Sequence, residues 1–173
     1  SSIITLCYIY ENKNNMTKLI ITAAVTGSVA TRKDNPNIPY SPEEIAEEIV
    51  RSGEAGASIA HVHVRDPVTG SPSFDLDYFR EVRDRVRSRC KILLNFTTSA
   101  VNLGGDDINE QRLAPTTLGP EICTLDIGSV TLENRVFINP PEWGPLGAKA
   151  ARERGVKPEL ECFDTGHVRL ASD

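Results

Sequence analysis

The sequence predicts an α/β fold on a parallel sheet, of the (β/α)8 TIM-barrel type. Strands and helices alternate five times along the 173 residues, the pattern of right-handed βαβ units. The repeat is roughly 30 to 40 residues long, the size of one such unit. The strands also end in polar residues at i and i+2, and so on one face: His61 and His63, Asn95 and Thr97, Thr124 and Asp126, Glu159 and Glu161. In an open sheet these would be scattered core polars satisfied by hydrogen bonds. In a barrel they are the rim from which active sites are built, at the C-terminal ends of several strands.

Taken in order, Lys18 to Val25 is the first strand, with Thr22, Ala24 and Thr26 on one face and Gly27-Ser28 ending it. A polar loop from Thr31 to Tyr40 precedes a helix start with Ser41 at the N-cap, Pro42 at the first helical position and Glu44 closing a capping box. This helix runs to about Ala55, turns Ile45 and Ile49 inward and ends at Gly56. Strand two, Ser58 to Val64, carries the histidines among the core residues Ile59, Val62 and Val64, and Asp66-Pro67 stops it. Beyond an Asp66 to Ser73 turn, Leu76, Phe79, Val82 and Val86 form an apolar stripe of helical period, while Arg80, Arg83, Arg85, Arg87 and Arg89 face water among acidic neighbours.

Strand three, Lys91 to Phe96, leads into Asn95-Phe96-Thr97-Thr98-Ser99. A Gly104-Gly105 loop and a short helix, about Asp106 to Leu113 and stopped by Pro115, connect it to strand four, Ile122 to Ile127. An extended excursion, Thr131 to Asn139, precedes an irregular helix from Pro141 to Arg154 with Gly155 as its cap, and Lys157 to Phe163 is strand five. At the N-terminus, Ile3 to Tyr10 is an apolar run followed by a polar cluster, without the basic region or cleavage site of a signal peptide. Met16, the single methionine, reads as a natural start. Residues 1–15 are therefore expected to be an extension, or an extra strand, ahead of a catalytic-domain portion spanning 16–173.

Net charge of −5 and a pI near 5.3 argue against nucleic acid as a partner. Aromatic residues, at 6%, are too sparse for a stacking platform. No apolar run approaches the ~18 residues of a membrane span. Cys7, Cys90, Cys123 and Cys162 are scattered without a C-x-x-C, which suits reduced thiols and a cytoplasmic protein. Cys123 and Cys162 fall in expected strands and read as core rather than as nucleophiles.

The histidine pair has two readings: two imidazoles sharing one metal ion such as Zn²⁺, or two histidines satisfied in a polar core. A ring of His, Asp, Glu, Thr and Asn suits a metal that polarises a carbonyl. Asn95, Thr97, Thr98 and Ser99 could hold a carboxylate through neutral hydrogen bonds, and Glu161 or Asp126 could act as base or orient one. No G-x-S-x-G, Walker A, G-x-G-x-x-G or H-E-x-x-H motif occurs.

Several stretches together resemble the beta-keto acid cleavage enzymes, of which 3-keto-5-aminohexanoate cleavage enzyme is the type. They are Ile21-Thr22-Ala23-Ala24-Val25-Thr26-Gly27, Ser41-Pro42-Glu43-Glu44, His61-Val62-His63-Val64-Arg65-Asp66, Asn95-Phe96-Thr97-Thr98, Arg112-Leu113-Ala114-Pro115, Thr124-Leu125-Asp126-Ile127-Gly128-Ser129, Phe137-Ile138-Asn139 and Pro158-Glu159-Leu160-Glu161. The resemblance implies a Zn²⁺-binding (β/α)8 barrel that takes a beta-keto acid and acetyl-CoA to acetoacetate and a new CoA ester. It places His61 and His63 at the zinc histidines, Thr97 (Ser in the type) and Thr124 at the keto acid, and Glu161 in the pocket. Asp126 replaces an Asn, and Val29 stands where the type has a Glu near the substrate's amino group, so the keto acid stays open.

A complete barrel takes about 250 residues. With its last residue at Asp173, the chain is expected to hold the first five or so βα units, and the family's third zinc ligand, a glutamate, and its catalytic Arg and Asp are expected beyond it. The expected partners are a small beta-keto acid and acetyl-CoA, with no nucleic acid and no membrane, and the full-length protein is expected to be a homo-oligomer. Two rival readings are another metal-dependent TIM-barrel hydrolase, for which only His167 remains as a further histidine, and a fragment without catalysis.

Overall fold

A computed structural model describes residues 3–8, 19–99, 103–132 and 135–172. Met16 and Lys18, and with them the expected chain start, lie outside the described residues. The chain forms two compact units, Ser1–Leu94 and Asn95–Asp173.

In the first unit, β1 (Ile3–Tyr8) runs antiparallel to β2 (Leu19–Ala24), with Ile3 opposite Ala24 and Tyr8 opposite Leu19. The expected N-terminal apolar run is thus a strand over most of its length. β2 pairs in parallel with β3 (Ile59–Val62), which sets Ala24 opposite His61. Helix α1 (Pro42–Glu54) makes this crossover and begins as the sequence dictates. Ser41 Oγ accepts from the Glu44 N–H at 3.1 Å, and the Glu44 carboxylate accepts from the Ser41 N–H at 3.0 Å. Gly56, just past its end, has φ of +105°, a conformation in which a side chain would be strained.

Strand two is shorter than its apolar pattern, because the chain leaves the sheet at His63. Val64–Arg65 (β4) pairs instead with Pro72–Ser73 (β5) in a small antiparallel hairpin. The cause is local. Asp66 Oδ1 accepts from the N–H groups of Val68 and Thr69 and from the Thr69 hydroxyl, and the Gly70 N–H returns to Asp66 O at 2.9 Å. The expected plain turn from Asp66 to Ser73 is therefore a hairpin with its own two-residue strands.

Helix α2 (Leu76–Arg87) buries Phe79, Val82 and Val86, as its stripe requires, and α1 buries Ile45, Ala46, Ile49 and Val50. These two helices pack together, and burial of each large side chain contributes about 1.5–3 kcal/mol. The exposed arginines pair as expected: Arg80 with Asp77, Arg85 with Glu81 and Glu43, and Arg89 with Glu47.

In the second unit, β6 (Leu93–Phe96), which starts at the end of the first, pairs in parallel with β7 (Ile122–Asp126) through Asn95 and Phe96, and β7 pairs in parallel with β10 (Lys157–Glu161). Between β6 and β7, α3 (Ile108–Leu113) ends ahead of Pro115 as expected. A separate 3-10 turn, Ala114–Leu118, follows it with Pro115 at its start, where a proline's missing N–H costs nothing. The excursion after β7 is a hairpin, β8 (Val130–Leu132) against β9 (Arg135–Phe137). Helix α4 (Trp143–Glu153) packs Trp143 against Leu113, Leu125 and Ile127, while Ala151 packs with Cys123 and Val156. A further helix, α5 (Thr165–Ser172), follows β10, and no strand reaches Phe163. Cys162 therefore lies past the last strand pair and is exposed, not core as expected, whereas Cys123 is buried and its thiol is pushed up to about 11 by burial.

Candidate functional site

Each unit holds one polar cluster. In the first, His61 and His63 sit side by side at the end of β3, their ring centroids 4.8 Å apart and the rings nearly perpendicular. Burial pushes the His61 imidazole down to about 4. His63 is pushed well below its ordinary range, first by burial and then by the charges of His61 and Arg65. Both rings are thus neutral at pH 7, the form that binds a metal. His61 Nδ1 is buried without a hydrogen-bond partner. A core histidine held for structure alone would have that nitrogen satisfied, so the pair fits metal ligation on this observation. Among the described residues no group of three His, Cys, Asp or Glu side chains is arranged to hold a metal ion, so a metal held here would take two of its ligands from the pair.

Two residues on, Arg65 is buried and binds only neutral oxygens: Thr26 Oγ1 through Nε at 3.0 Å, Gly70 O through Nη1 at 2.7 Å, and Gly27 O and Ala30 O through Nη2. Its guanidinium also lies 5.3 Å from the Tyr40 ring centre. It ties the loop after β2 to the hairpin beneath the histidines.

In the second unit, strand register does the assembling. Glu159 lies opposite Thr124, Glu161 opposite Asp126, and Asn95 opposite Ile122. Thr98 lashes β6 to β7. Its N–H donates to Thr124 Oγ1 at 3.1 Å and its hydroxyl donates to Thr124 O at 2.6 Å. Thr97 Oγ1 accepts from the Ser99 N–H at 3.1 Å, which leaves the hydroxyl proton to give. Asn95 is fully buried, yet neither atom of its amide has a hydrogen-bond partner of ordinary geometry. It lies near enough to Glu159 to oppose in part the upward push of burial on that carboxyl.

Asp126 and Glu161 form a carboxyl pair. Burial pushes Glu161 up to about 9, helped by its hydrogen bond with Asp126 and by the charges of Asp126 and Glu159. Burial raises Asp126 as well, against the pull of Glu161 and Arg112. Both carboxyls thus lean toward their protonated forms, Glu161 to about 9.

Arg112, in the last turn of α3, completes this cluster, and sequence reasoning gave it no role beyond the family signature. It is buried, its Nε donates to Thr98 O at 2.6 Å, its Nη1 donates to Asn139 Oδ1 at 3.0 Å, and it lies 3.5 Å over the Trp143 ring. An arginine on a short helix reads as surface. Nothing local in the sequence announces its burial, because the groups that satisfy it are 14 and 27 residues away.

His167, the last histidine, is engaged elsewhere in the same unit. Its Nδ1 accepts from the Phe163 N–H at 3.2 Å and its Nε2 meets Ser129 O at 3.1 Å. Gly128 beneath it has φ of +80°, and a Cβ there would lie 2.7 Å from the imidazole.

Among the described residues no helix is long and apolar enough to cross a membrane. In comparison with known proteins, residues 18–173 match the model of the beta-keto acid cleavage enzymes. The chain is 40% identical over 157 residues to 3-keto-5-aminohexanoate cleavage enzyme of Fusobacterium nucleatum, covering 90% of this chain and 57% of that protein. It is 36% identical to 3-dehydrocarnitine:acetyl-CoA trimethylamine transferase of Rhizobium meliloti, covering 89% of this chain and 58% of that one. Among solved structures, the ternary complex of ObcA with a C4-CoA adduct and oxalate superposes with a TM-score of 0.67 at 27% identity, over 80% of this chain and 34% of ObcA. The chain spans somewhat more than half the length of these two curated relatives. The α/β architecture with parallel strands agrees with that structural likeness and with part of a barrel. By the match over 18–173 and the identity to these relatives, the chain belongs to the beta-keto acid cleavage enzyme family.

Proposed function

We propose that this protein takes part in zinc-dependent cleavage of a beta-keto acid by acetyl-CoA, giving acetoacetate and a new CoA ester. In the overall exchange the bond between the keto carbon and the methylene next to the carboxylate breaks, and that methylene bonds to the acetyl carbonyl carbon. The CoA sulfur passes from the acetyl group to the released acyl group. The observation that carries the reading is the histidine pair: adjacent, neutral and with a buried, unpartnered His61 Nδ1. Bound zinc would polarise the keto carbonyl and favour negative charge on its oxygen.

Taken by itself, the cluster on β6, β7 and β10 suits a carboxylic acid. Asn95 offers a buried amide without a hydrogen-bond partner of ordinary geometry, and Thr97 offers a hydroxyl proton, so a carboxylate can be held by neutral donors. Thr124 keeps its own hydroxyl proton while its oxygen accepts from Thr98. Thr98 contributes by fixing Thr124, since its own hydroxyl is committed to a carbonyl. Glu161, neutral at pH 7, is a proton donor, and Asp126 orients it. The relatives' names share acetyl-CoA chemistry and differ in the keto acid, so the reading extends to 3-oxo acids as a class.

The test is zinc content per chain after dialysis, for wild type and the His61→Ala/His63→Ala double variant, with acetyl-CoA labelled in its acetyl group as the companion assay. Stoichiometric zinc lost in the variant, with label recovered in acetoacetate, is the expected result. A metal-free wild type that leaves the label in acetyl-CoA, or releases it only as acetate, would sink the proposal.

A further inference from the structure

Asp126 and Glu161 are close equivalents by sequence: two carboxyls opposite each other in a parallel strand pair. The cation facing them makes them unequal. Three contacts hold Arg112 in place: the Thr98 carbonyl, the Asn139 amide oxygen and the face of Trp143. So held, it points Nη2 at Asp126 Oδ2 from 3.8 Å. Neither atom has a hydrogen-bond partner. At that distance the guanidinium acts on the carboxylate through its field, in surroundings almost without water.

The other charged groups around Asp126 do not offset this. Glu161 and Glu159 approach from β10, and both are acidic. Of the cations on and beside α4, Lys149 pairs with Glu153 at the surface, and Arg154 donates to Leu113 O and Thr116 Oγ1. His167 on α5 meets Ser129 O.

We infer that Arg112 is a positioning residue for the carboxyl pair: by holding Asp126 as the anion it places the pair's proton on Glu161. Two carboxyls in contact cannot both ionise cheaply, so between the two ionisations the pair holds one proton, and the nearer cation decides which oxygen goes without it. Arg112 lies against Asp126, so the O–H is presented by Glu161 at the end of β10. That the O–H then serves the reaction rests on the function proposed above. Where the proton sits is a property of the unliganded protein and can be measured without any activity.

The experiment is carboxyl ¹³C NMR of metal-free protein labelled in Asp and Glu, with the two signals assigned from Asp126→Asn and Glu161→Gln. At pH 7 the wild type is expected to show Glu161 protonated and Asp126 ionised. In Arg112→Met the proton is expected to shift toward Asp126, changing the ratio of the two protonated forms tenfold or more. Arg112→Lys, which keeps the charge, is expected to retain the wild-type placement at least in part. A wild-type Glu161 ionised at pH 7 overturns the inference, and so does an Arg112→Met protein whose proton stays on Glu161. If Arg112→Met does not fold, the wild-type spectrum and Arg112→Lys decide: a Lys variant with the proton on Asp126 overturns it. The zinc and label measurements decide the proposed reaction separately.

Discussion

Among the described residues each unit buries one arginine at 1% exposure, and the two are used differently. Arg65 commits its donors to a hydroxyl and three carbonyls and faces no carboxylate. Arg112 commits two of its three nitrogens and leaves the third unbonded, 3.8 Å from a carboxylate oxygen that is also unbonded. A buried cation satisfied throughout by neutral acceptors holds a backbone in place. One with a nitrogen left over beside a titratable group changes how that group behaves. Burial and residue type are the same in the two cases, so the hydrogen-bond inventory is what separates them.

Substitution gives the largest expected contrast. Arg65→Met leaves the oxygens of Thr26, Gly27, Ala30 and Gly70 without their donor and should cost roughly 3–5 kcal/mol. Arg112→Met should cost less, about 1–3 kcal/mol, because the Asp126 it abandons can take up a proton in place of a buried charge. Urea midpoints at pH 7 measure both. Equal losses would erase the distinction between the two arginines.

Gly70→Ala sharpens the Arg65 side of the comparison. Gly70 has φ of +73° and gives its carbonyl to Arg65, and a Cβ there would lie 2.1 Å from the Tyr40 ring. The ring must then move, although Tyr40 is packed beside both Arg65 and Arg32 and its hydroxyl accepts from the Arg32 N–H at 2.7 Å. The expected loss is about 2–4 kcal/mol from backbone strain and overpacking together. A loss below about 1 kcal/mol, seen by thermal melting, would mean that the Tyr40–Arg65 assembly is loose.

What could be read in advance was local. The capping box of α1 lies within four residues, the stripe of α2 within eleven, and the facing of His61 and His63 follows from the two-residue period of a strand. The polar pairs on β6, β7 and β10 were legible for the same reason, and parallel register then set Glu161 against Asp126. What was missed depends on partners distant in sequence. The burial of Arg112 needs Asn139 and Trp143, and the exposure of Cys162 follows from where β10 stops pairing. The hairpin after His63 was local and still missed, since Asp66-Pro67 announces a turn without saying that the chain pairs with itself on either side of it.

The smallest effect expected is on the pH dependence of stability, and it bears on the Arg112 side. Glu161 holds its proton up to about 9 in the folded protein and loses it near 4.5 when unfolded. Between those values the folded state binds more protons, so this group's contribution is fully present below about 4.5 and is lost as pH rises toward 9. His61 works the other way, since its neutral form is the folded one and unfolding lets it take a proton below its ordinary 6.5. The two trends overlap in acid, and above neutrality the carboxyl pair acts without the histidines. Metal-free protein should therefore lose stability from pH 7 to 9, by at most about 1.4 kcal/mol per pH unit and by less where solvent reaches Glu161. Glu161→Gln should flatten that slope, because an amide has no proton to lose. Urea midpoints at pH 7, 8 and 9 decide it: a slope unchanged by the substitution would place the titrating group elsewhere and leave Arg112 with no carboxyl pair to bias.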